Sequence, residues 1–210
     1  MSDVLKIVTL GPWPDPKSII TRRLARARAR KIYLLGVDGS GKTTLQREMQ
    51  AADPGKTVSL HYIHRDDRGQ KVEDTGTLAL TELHDFQGGA SNSGSASRLG
   101  SLARVARLAL VELRIDLRLC IDEEKRVVWA RAMPDVVACP HRYRIVEAHH
   151  HLLSHLLWFF GRGAQIYFLD TPVEVCALRR PEERVEHLQE SRIRYLQLIE
   201  TLTSRSAGRG

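Results

Sequence analysis

The stretch Gly36-Val37-Asp38-Gly39-Ser40-Gly41-Lys42-Thr43 constrains the fold more than any other part of this 210-residue chain. It fills every fixed position of the pattern GxxxxGK[ST]. The apolar run Ile32–Leu35 before it reads as a strand, and residues Thr43 to Ala52 after it read as a helix that ends before Pro54. Strand, glycine-rich turn and helix in that order bring loop N–H groups and a helix N-terminus to one point, an arrangement that suits a phosphate. On this reading Gly36, Asp38, Gly39, Ser40, Gly41, Lys42, Thr43 and Thr44 line the site. Lys42 reaches the terminal phosphates of a nucleoside triphosphate, and Thr43 supplies a hydroxyl for Mg²⁺. Asp38 would be repelled by bound polyphosphate unless it faces away. It turns either toward an acceptor or a metal, or into a hydrogen bond within its own loop.

The rest of the chain alternates strand and helix patterns. Val4 to Leu10 reads as a strand stopped at Gly11-Pro12, and Pro16 to Arg30 as a helix carrying Arg22, Arg23, Arg26, Arg28 and Arg30. Val58 to Ile63 is a second strand of the domain, with Arg65 and Asp66 at its tip and a short helix near Thr81. Gln87 to Ser101, rich in Gly and Ser, is expected to be a mobile loop. Leu102, Val105, Ala106, Ala109, Leu113 and Leu117 predict a long helix to about Cys120, and Asp135 to Cys139 a third strand halted by Pro140. Tyr143 to Phe160 reads as a helix with Ile145, Ala148, Leu152, Leu156 and Phe159 on its apolar side. Gln165 to Asp170 is the clearest strand. Val175 to Leu202 is mostly helix, broken near Pro181, and 203–210 is a disordered tail. The expected fold class is therefore α/β, a mainly parallel sheet of four or five strands with helices on both faces.

Composition narrows the function classes. Apolar residues at 42% and charged residues at 27% exclude global disorder. No apolar run approaches the roughly 18 residues of a membrane span, and no signal-peptide stretch opens the chain, so a cytoplasmic protein without membrane contact is expected. A net charge of +7, carried mainly by arginine, favours an anionic partner, either a nucleotide or a nucleic-acid backbone. Cys120, Cys139 and Cys176 lack the number and spacing of a disulfide framework or zinc knuckle, and read as small buried apolar residues.

Beginning with Tyr33-Leu34-Leu35-Gly36-Val37-Asp38-Gly39-Ser40-Gly41-Lys42-Thr43-Thr44, the sequence resembles the thymidylate kinase-like family. Leu169-Asp170-Thr171-Pro172-Val173-Glu174-Val175 resembles that family's fourth-strand junction, followed by an arginine-bearing lid at Arg179, Arg180 and Arg184. Ser191 to Leu198 resembles its Arg-x-x-Tyr helix, at Arg192 and Tyr195. The resemblance implies a three-layer P-loop kinase domain over 31–202, preceded by an extension over 1–30 and with a lid near 179–184. It also implies ATP and Mg²⁺ as cofactors, with a small phosphorylated or hydroxylated acceptor held by Arg65, Asp66 and Arg142. Lys42, Asp38, Arg142 and the lid arginines would act on the transferring phosphoryl group, and Thr43 and Asp170 would serve the metal.

The sequence departs from the family pattern at three points. His141 stands where an aspartate is expected, with Pro140 lengthening the turn. The sequence as given stops at Gly210 without the family's final strand and helix, and the strand Val4 to Leu10 is a candidate to fill that sheet edge. The Gly/Ser-rich loop sits where the family places acceptor-side residues. Asp170 also has a structural reading, as the cap of the following helix. Glu147, His151 and His155 recur every four residues and could ligate a metal, though an exposed polar face explains them more simply.

The leading function is an ATP-dependent phosphotransferase acting on a nucleoside monophosphate or related small molecule. The alternatives are a catalytically altered nucleotide-binding module, or a kinase acting on a natural-product hydroxyl or nucleic acid. A homodimer is left open. Nucleic-acid binding through the arm predicts affinity that falls steeply with salt and depends on Arg22 to Arg30; salt-independent affinity in a filter-binding titration rejects it.

Overall fold

Parallel strands are covered on both faces, so they read as near-continuous apolar runs, and such runs organise this chain. The computed structural model describes residues 6–10, 29–53, 55–61, 98–130, 132–143 and 145–207. Five strands form one sheet: β1 (Lys6–Leu10), β2 (Lys31–Leu35), β3 (Thr57–His61), β4 (Arg126–Ala130) and β5 (Gln165–Leu169). Their spatial order is β1-β5-β2-β4-β3, and every neighbouring pair is parallel. The helices are α1 (Lys42–Ala52), α2 (Arg98–Ile121), α3 (Met133–Ala138), α4 (His150–Phe160), α5 (Val173–Arg179) and α6 (Val185–Ala207), with 3₁₀ turns at Pro140–Tyr143 and Glu147–His149.

From β2 the chain passes outward to β3, then returns through β4 and crosses β2 to reach β5. Right-handed crossovers taken in opposite directions put their helices on opposite faces. On one face Leu45 and Met49 of α1 pack against Ile32, Leu34, Val128, Ala130, Tyr167 and Leu169. On the other, residues of α2 to α6 pack against Tyr33, Leu35, Val127, Trp129, Ile166 and Phe168. The alternation of these strand residues between two cores is the period-two pleat. The reversal of direction around β2 leaves a crevice above its C-terminal end, where open parallel sheets bind ligands.

At the opposite end of β2 a polar cross-link is buried. Lys31 Nζ bonds to Glu112 Oε2 at 3.2 Å and to the Phe160 carbonyl at 3.1 Å, and it also pairs with Asp116. Tyr33 donates its hydroxyl to the same Glu112 oxygen at 2.9 Å. Burial pushes the Glu112 carboxyl up against the opposing pull of Lys31 and Tyr33, and burial with the Glu112 charge pushes the Tyr33 hydroxyl well up. The cluster fixes α2 and the end of α4 to the base of β2.

The structure corrects several expectations. The strand beside β2 is Arg126–Ala130, and the expected strand Asp135 to Cys139 is helical, within α3 up to Ala138. Pro134 in the first turn and Asp135 at the third helical position are helix-start signals that outweigh the short Val136-Val137 run. Helix α2 begins at Arg98, inside the expected mobile loop, and α6 runs to Ala207, into the expected tail. It buries Ser101, Val105, Leu108, Val111, Glu112, Ile115 and Leu119, whereas Leu102, Leu113 and Leu117 are exposed. The expected helix over Tyr143 to Phe160 starts as two 3₁₀ turns. Its buried row is Leu153, Leu157 and Phe160, one residue on from the expected Leu152, Leu156 and Phe159. Cys139 and Cys176 are buried but Cys120 is exposed. The expected arginine-rich helix over Pro16 to Arg30 lies outside the described residues except for its last two positions, as do the short helix near Thr81 and loop residues 87–97. Strand β1 does pair with β5, Lys6 opposite Gln165 through Leu10 opposite Leu169, and so occupies the edge proposed for it. Among the described residues no helix is long and apolar enough to cross a membrane.

Glu112→Ala leaves the Lys31 ammonium and the Tyr33 hydroxyl in the core with a partly exposed carboxylate as the nearest counter-charge. Urea denaturation should show a loss of about 3 kcal/mol, while a loss under about 1 kcal/mol would mean that the cluster holds nothing.

Candidate functional site

The loop between β2 and α1 closes on itself and then opens into a helix. Ser40 N–H donates to the Val37 carbonyl at 3.1 Å, and Leu45 N–H to the Gly41 carbonyl at 3.0 Å. Gly41, the N-cap of α1, has φ +97°, in the left-handed region, and no side chain caps the helix. The first turn of α1 has no acidic residue. The partial positive charge of the helix N-terminus lies at this end of the loop.

Lys42 is buried and folded onto its own loop. Its ammonium donates to the carbonyls of Gly36 and Val37, the latter at 3.0 Å, with Asp38 Oδ1 at 4.0 Å. The half-buried Asp38 thus faces the loop lysine. Thr43 and Thr44 are exposed at the start of α1, Thr43 directly beside Lys42 in the chain, and Ser40 is buried.

Strand β5 and helix α5 support this loop from outside. A Cβ on Gly39, whose φ is +84°, would lie 2.7 Å from the Cys176 carbonyl, so the loop rests on the backbone of α5. Thr171 donates its hydroxyl to the Ser40 carbonyl at 3.1 Å, and Arg179 donates through a guanidinium N–H to the Gly39 carbonyl at 3.1 Å. Of the expected lid trio, Arg179 is the residue that bonds to the loop. Arg180 pairs with Glu182 at 3.0 Å, and Arg184 is exposed just before α6. Burial pushes the Cys176 thiol up, with Lys42 and Arg179 opposing, which keeps it a neutral packing group under the loop.

Asp170 leaves β5 beside the loop and meets Arg192 of α6 in a forked ion pair, at 2.7 Å to Oδ1 and 3.0 Å to Oδ2. The pair raises the Arg192 guanidinium further above its ordinary range. Asp170 does not cap α5, whose N-cap Pro172 has no side-chain bond. One turn along α6, buried Tyr195 donates its hydroxyl to Asp135 Oδ1 at 2.7 Å, and Asp135 Oδ2 accepts the Ala132 N–H at 2.9 Å. Burial and the Asp135 charge push the Tyr195 hydroxyl well up. The arginine and tyrosine singled out in the sequence therefore tie α6 to the tip of β5 and to α3.

The acceptor-side residues are less completely described. Arg65 and Asp66 lie outside the described residues. His141 and Arg142 belong to the 3₁₀ turn Pro140–Tyr143, reached through α3 and not from a strand end. Strand β4 ends at Ala130, so the residue closing the strand next to β2 is not acidic. His149 Nδ1 lies 2.7 Å from Ser101 Oγ and His150 Nε2 3.1 Å from the Val137 carbonyl. Among the described residues no group of three or more His, Cys, Asp or Glu is positioned to hold a metal ion. Sequence reasoning missed Thr171 and Cys176 as loop supports. The Asp-Thr-Pro triplet after an apolar strand marks the place, but the tertiary approach of α5 gives it meaning.

Gly39→Ala should cost far more than Gly41→Ala. At Gly41 the nearest atom to a new Cβ is 3.9 Å away, so only the left-handed backbone is penalised, by about 1–2 kcal/mol. At Gly39 the backbone of α5 must also shift. A thermal melt in which the two variants lose equal stability would contradict the contact with Cys176.

A scan against protein-family models finds no match to this chain, and a search of curated proteins finds no relative.

Proposed function

We propose that the chain is an ATP-dependent phosphotransferase of thymidylate kinase-like type, with the three-layer P-loop kinase fold, acting on a nucleoside monophosphate or a related small molecule. The observation that carries this reading is the glycine loop. A complete GxxxxGK[ST] sequence bridges a central parallel strand and an uncapped helix N-terminus at the crevice of the sheet. The donor set fits a polyphosphate: loop amides, the Lys42 ammonium and the Thr43 hydroxyl, with no side chain filling the helix terminus.

On this reading Gly36 to Thr44 hold the phosphates, and Lys42 exchanges its loop carbonyls for phosphate oxygens. Mg²⁺, if carried in with ATP, would supply charge neutralisation on the phosphates. Thr43 is the residue closest in the chain to serve it, and Asp170 is engaged by Arg192. Arg179 lies against the loop already and stabilises charge on the transferring group, with Arg180 and Arg184 on the segment that follows α5. Arg65, Asp66 and Arg142 remain the candidates for orienting the acceptor, on the strength of the resemblance.

A nucleotide-binding module without turnover is the second reading. It is favoured by the engagement of Asp170 with Arg192 and by the alanine that closes β4.

The test is an ATP-consumption screen over nucleoside monophosphates, nucleosides and small alcohols, paired with calorimetry of Mg-ATP. Turnover with at least one acceptor is expected, falling roughly 10²–10³-fold in Lys42→Ala. Mg-ATP uptake without turnover selects the second reading, and neither uptake nor turnover rejects both.

A further inference from the structure

Helix α3 packs against both α4 and α6, and where these two flank its C-terminal end a cleft of about 820 Å³ opens. That volume lies in the range of small-molecule sites. No residue of the glycine loop lines it. Its apolar lining comes from Val137, Ala138 and Ile145, all buried, and from Ile193 and Leu198 of α6. Polar groups stand on two sides: Glu147, His150 and Ser154 around the start of α4, and Glu190, Arg194 and Thr201 along α6. Glu147, His150 and Ser154 follow at intervals of three and four, so they share one side of the turn and helix.

The hydrogen bonds these groups already make decide what the cleft can take. A carbonyl only accepts, so His150 Nε2, 3.1 Å from the Val137 carbonyl, carries the proton, and the neutral ring keeps Nδ1 as an acceptor. Ser154 donates its hydroxyl to the His150 carbonyl at 3.0 Å, and Thr201 donates to the Gln197 carbonyl at 2.8 Å. Each hydroxyl oxygen is left with lone pairs only. Arg194 donates through Nε and Nη2 to Glu190 Oε1, at 3.2 and 2.7 Å, so its charge is balanced within its own helix. Gln197 and neutral His151 can each donate or accept, and add no preference. The exposed carboxylate of Glu147 is the remaining fixed charge on the lining. An organic anion would have to compete with Glu190 for Arg194. Acceptors and a surplus carboxylate beside an apolar surface instead match a ligand that is cationic, donates hydrogen bonds and carries an apolar body.

We propose that this cleft binds a small organic ammonium with an apolar body, its N–H groups on Glu147, His150 Nδ1 and the Ser154 hydroxyl oxygen and its body on Val137, Ile145 and Leu198. The site is separate from the glycine loop, so it does not depend on the phosphotransferase reading.

Three probes of matched shape test the proposal: phenethylammonium, phenethyl alcohol and hydrocinnamate, titrated at neutral pH into the full-length protein and followed by backbone amide shifts. Phenethylammonium should saturate with a Kd of about 1 mM and move the amides that line the cleft. The alcohol and the acid should bind at least about threefold more weakly, and Glu147→Gln should weaken the ammonium by about the same factor. Ile193 is 54% exposed, so Ile193→Lys leaves the core intact, places a second ammonium in the cleft and should reverse the order in favour of hydrocinnamate. Phenethylammonium that fails to saturate at millimolar concentration overturns the proposal. So does an alcohol or acid that binds the parent as well as the ammonium does, or uptake of the ammonium that neither variant changes.

Discussion

The loop rests on α5 through two pieces of backbone, Gly39 and Cys176, with no room for a Cβ between them. Backbone against backbone is stiffer than side chain against side chain, because no rotamer can absorb a shift. The Thr171 and Arg179 hydrogen bonds to the neighbouring carbonyls clamp the same point from both sides. Loop conformation is thereby tied to α5. The loop is held mainly through its carbonyls, which accept from Thr171, Arg179 and Lys42, with one internal amide hydrogen bond from Ser40 to Val37.

A division of labour between the two ends of the sheet follows. At the base, Lys31, Glu112 and Tyr33 form a buried polar knot that orients α2. At the strand tips, α6 reaches Asp170 through Arg192 and Asp135 through Tyr195, so one helix spans the ends of β5 and the segment after β4. At the base Lys31, Tyr33 and Glu112 are buried, with the partly exposed Asp116 at the margin. The tip pair Asp170–Arg192 is only partly buried, and a partly exposed ion pair is one that can be exchanged for another partner at modest cost.

The parts legible in the sequence were those whose local signal and tertiary role agree. The loop pattern, the strand Gln165–Leu169, the break between α5 and α6 and the edge strand Lys6–Leu10 all belong to this group. The third strand was misread because Val136-Val137 follows Pro134 and Asp135, where helix-start chemistry outweighs a two-residue β-branched run, while the short apolar run Val127-Val128-Trp129 received no assignment. Helix α2 is leucine-bearing on two sides, so its periodicity alone cannot say which side meets the sheet. Glu112 decides it, a charged residue buried because Lys31 and Tyr33 wait for it. In α4 the 3₁₀ turns before His150 change the phase, and every apolar position moves by one residue.

By itself the sequence determined that a strand, a glycine turn and a helix meet at residues 32–52, since positive φ at Gly41 and a lysine and threonine at the helix start are local requirements. It also determined the alternation that makes the chain α/β. Only the tertiary structure decided that Asp170 faces Arg192, that Thr171, Cys176 and Arg179 hold the loop, and which side of α2 is buried. Those outcomes depend on which groups, distant along the chain, arrive at the same place, and no period or propensity carries that information.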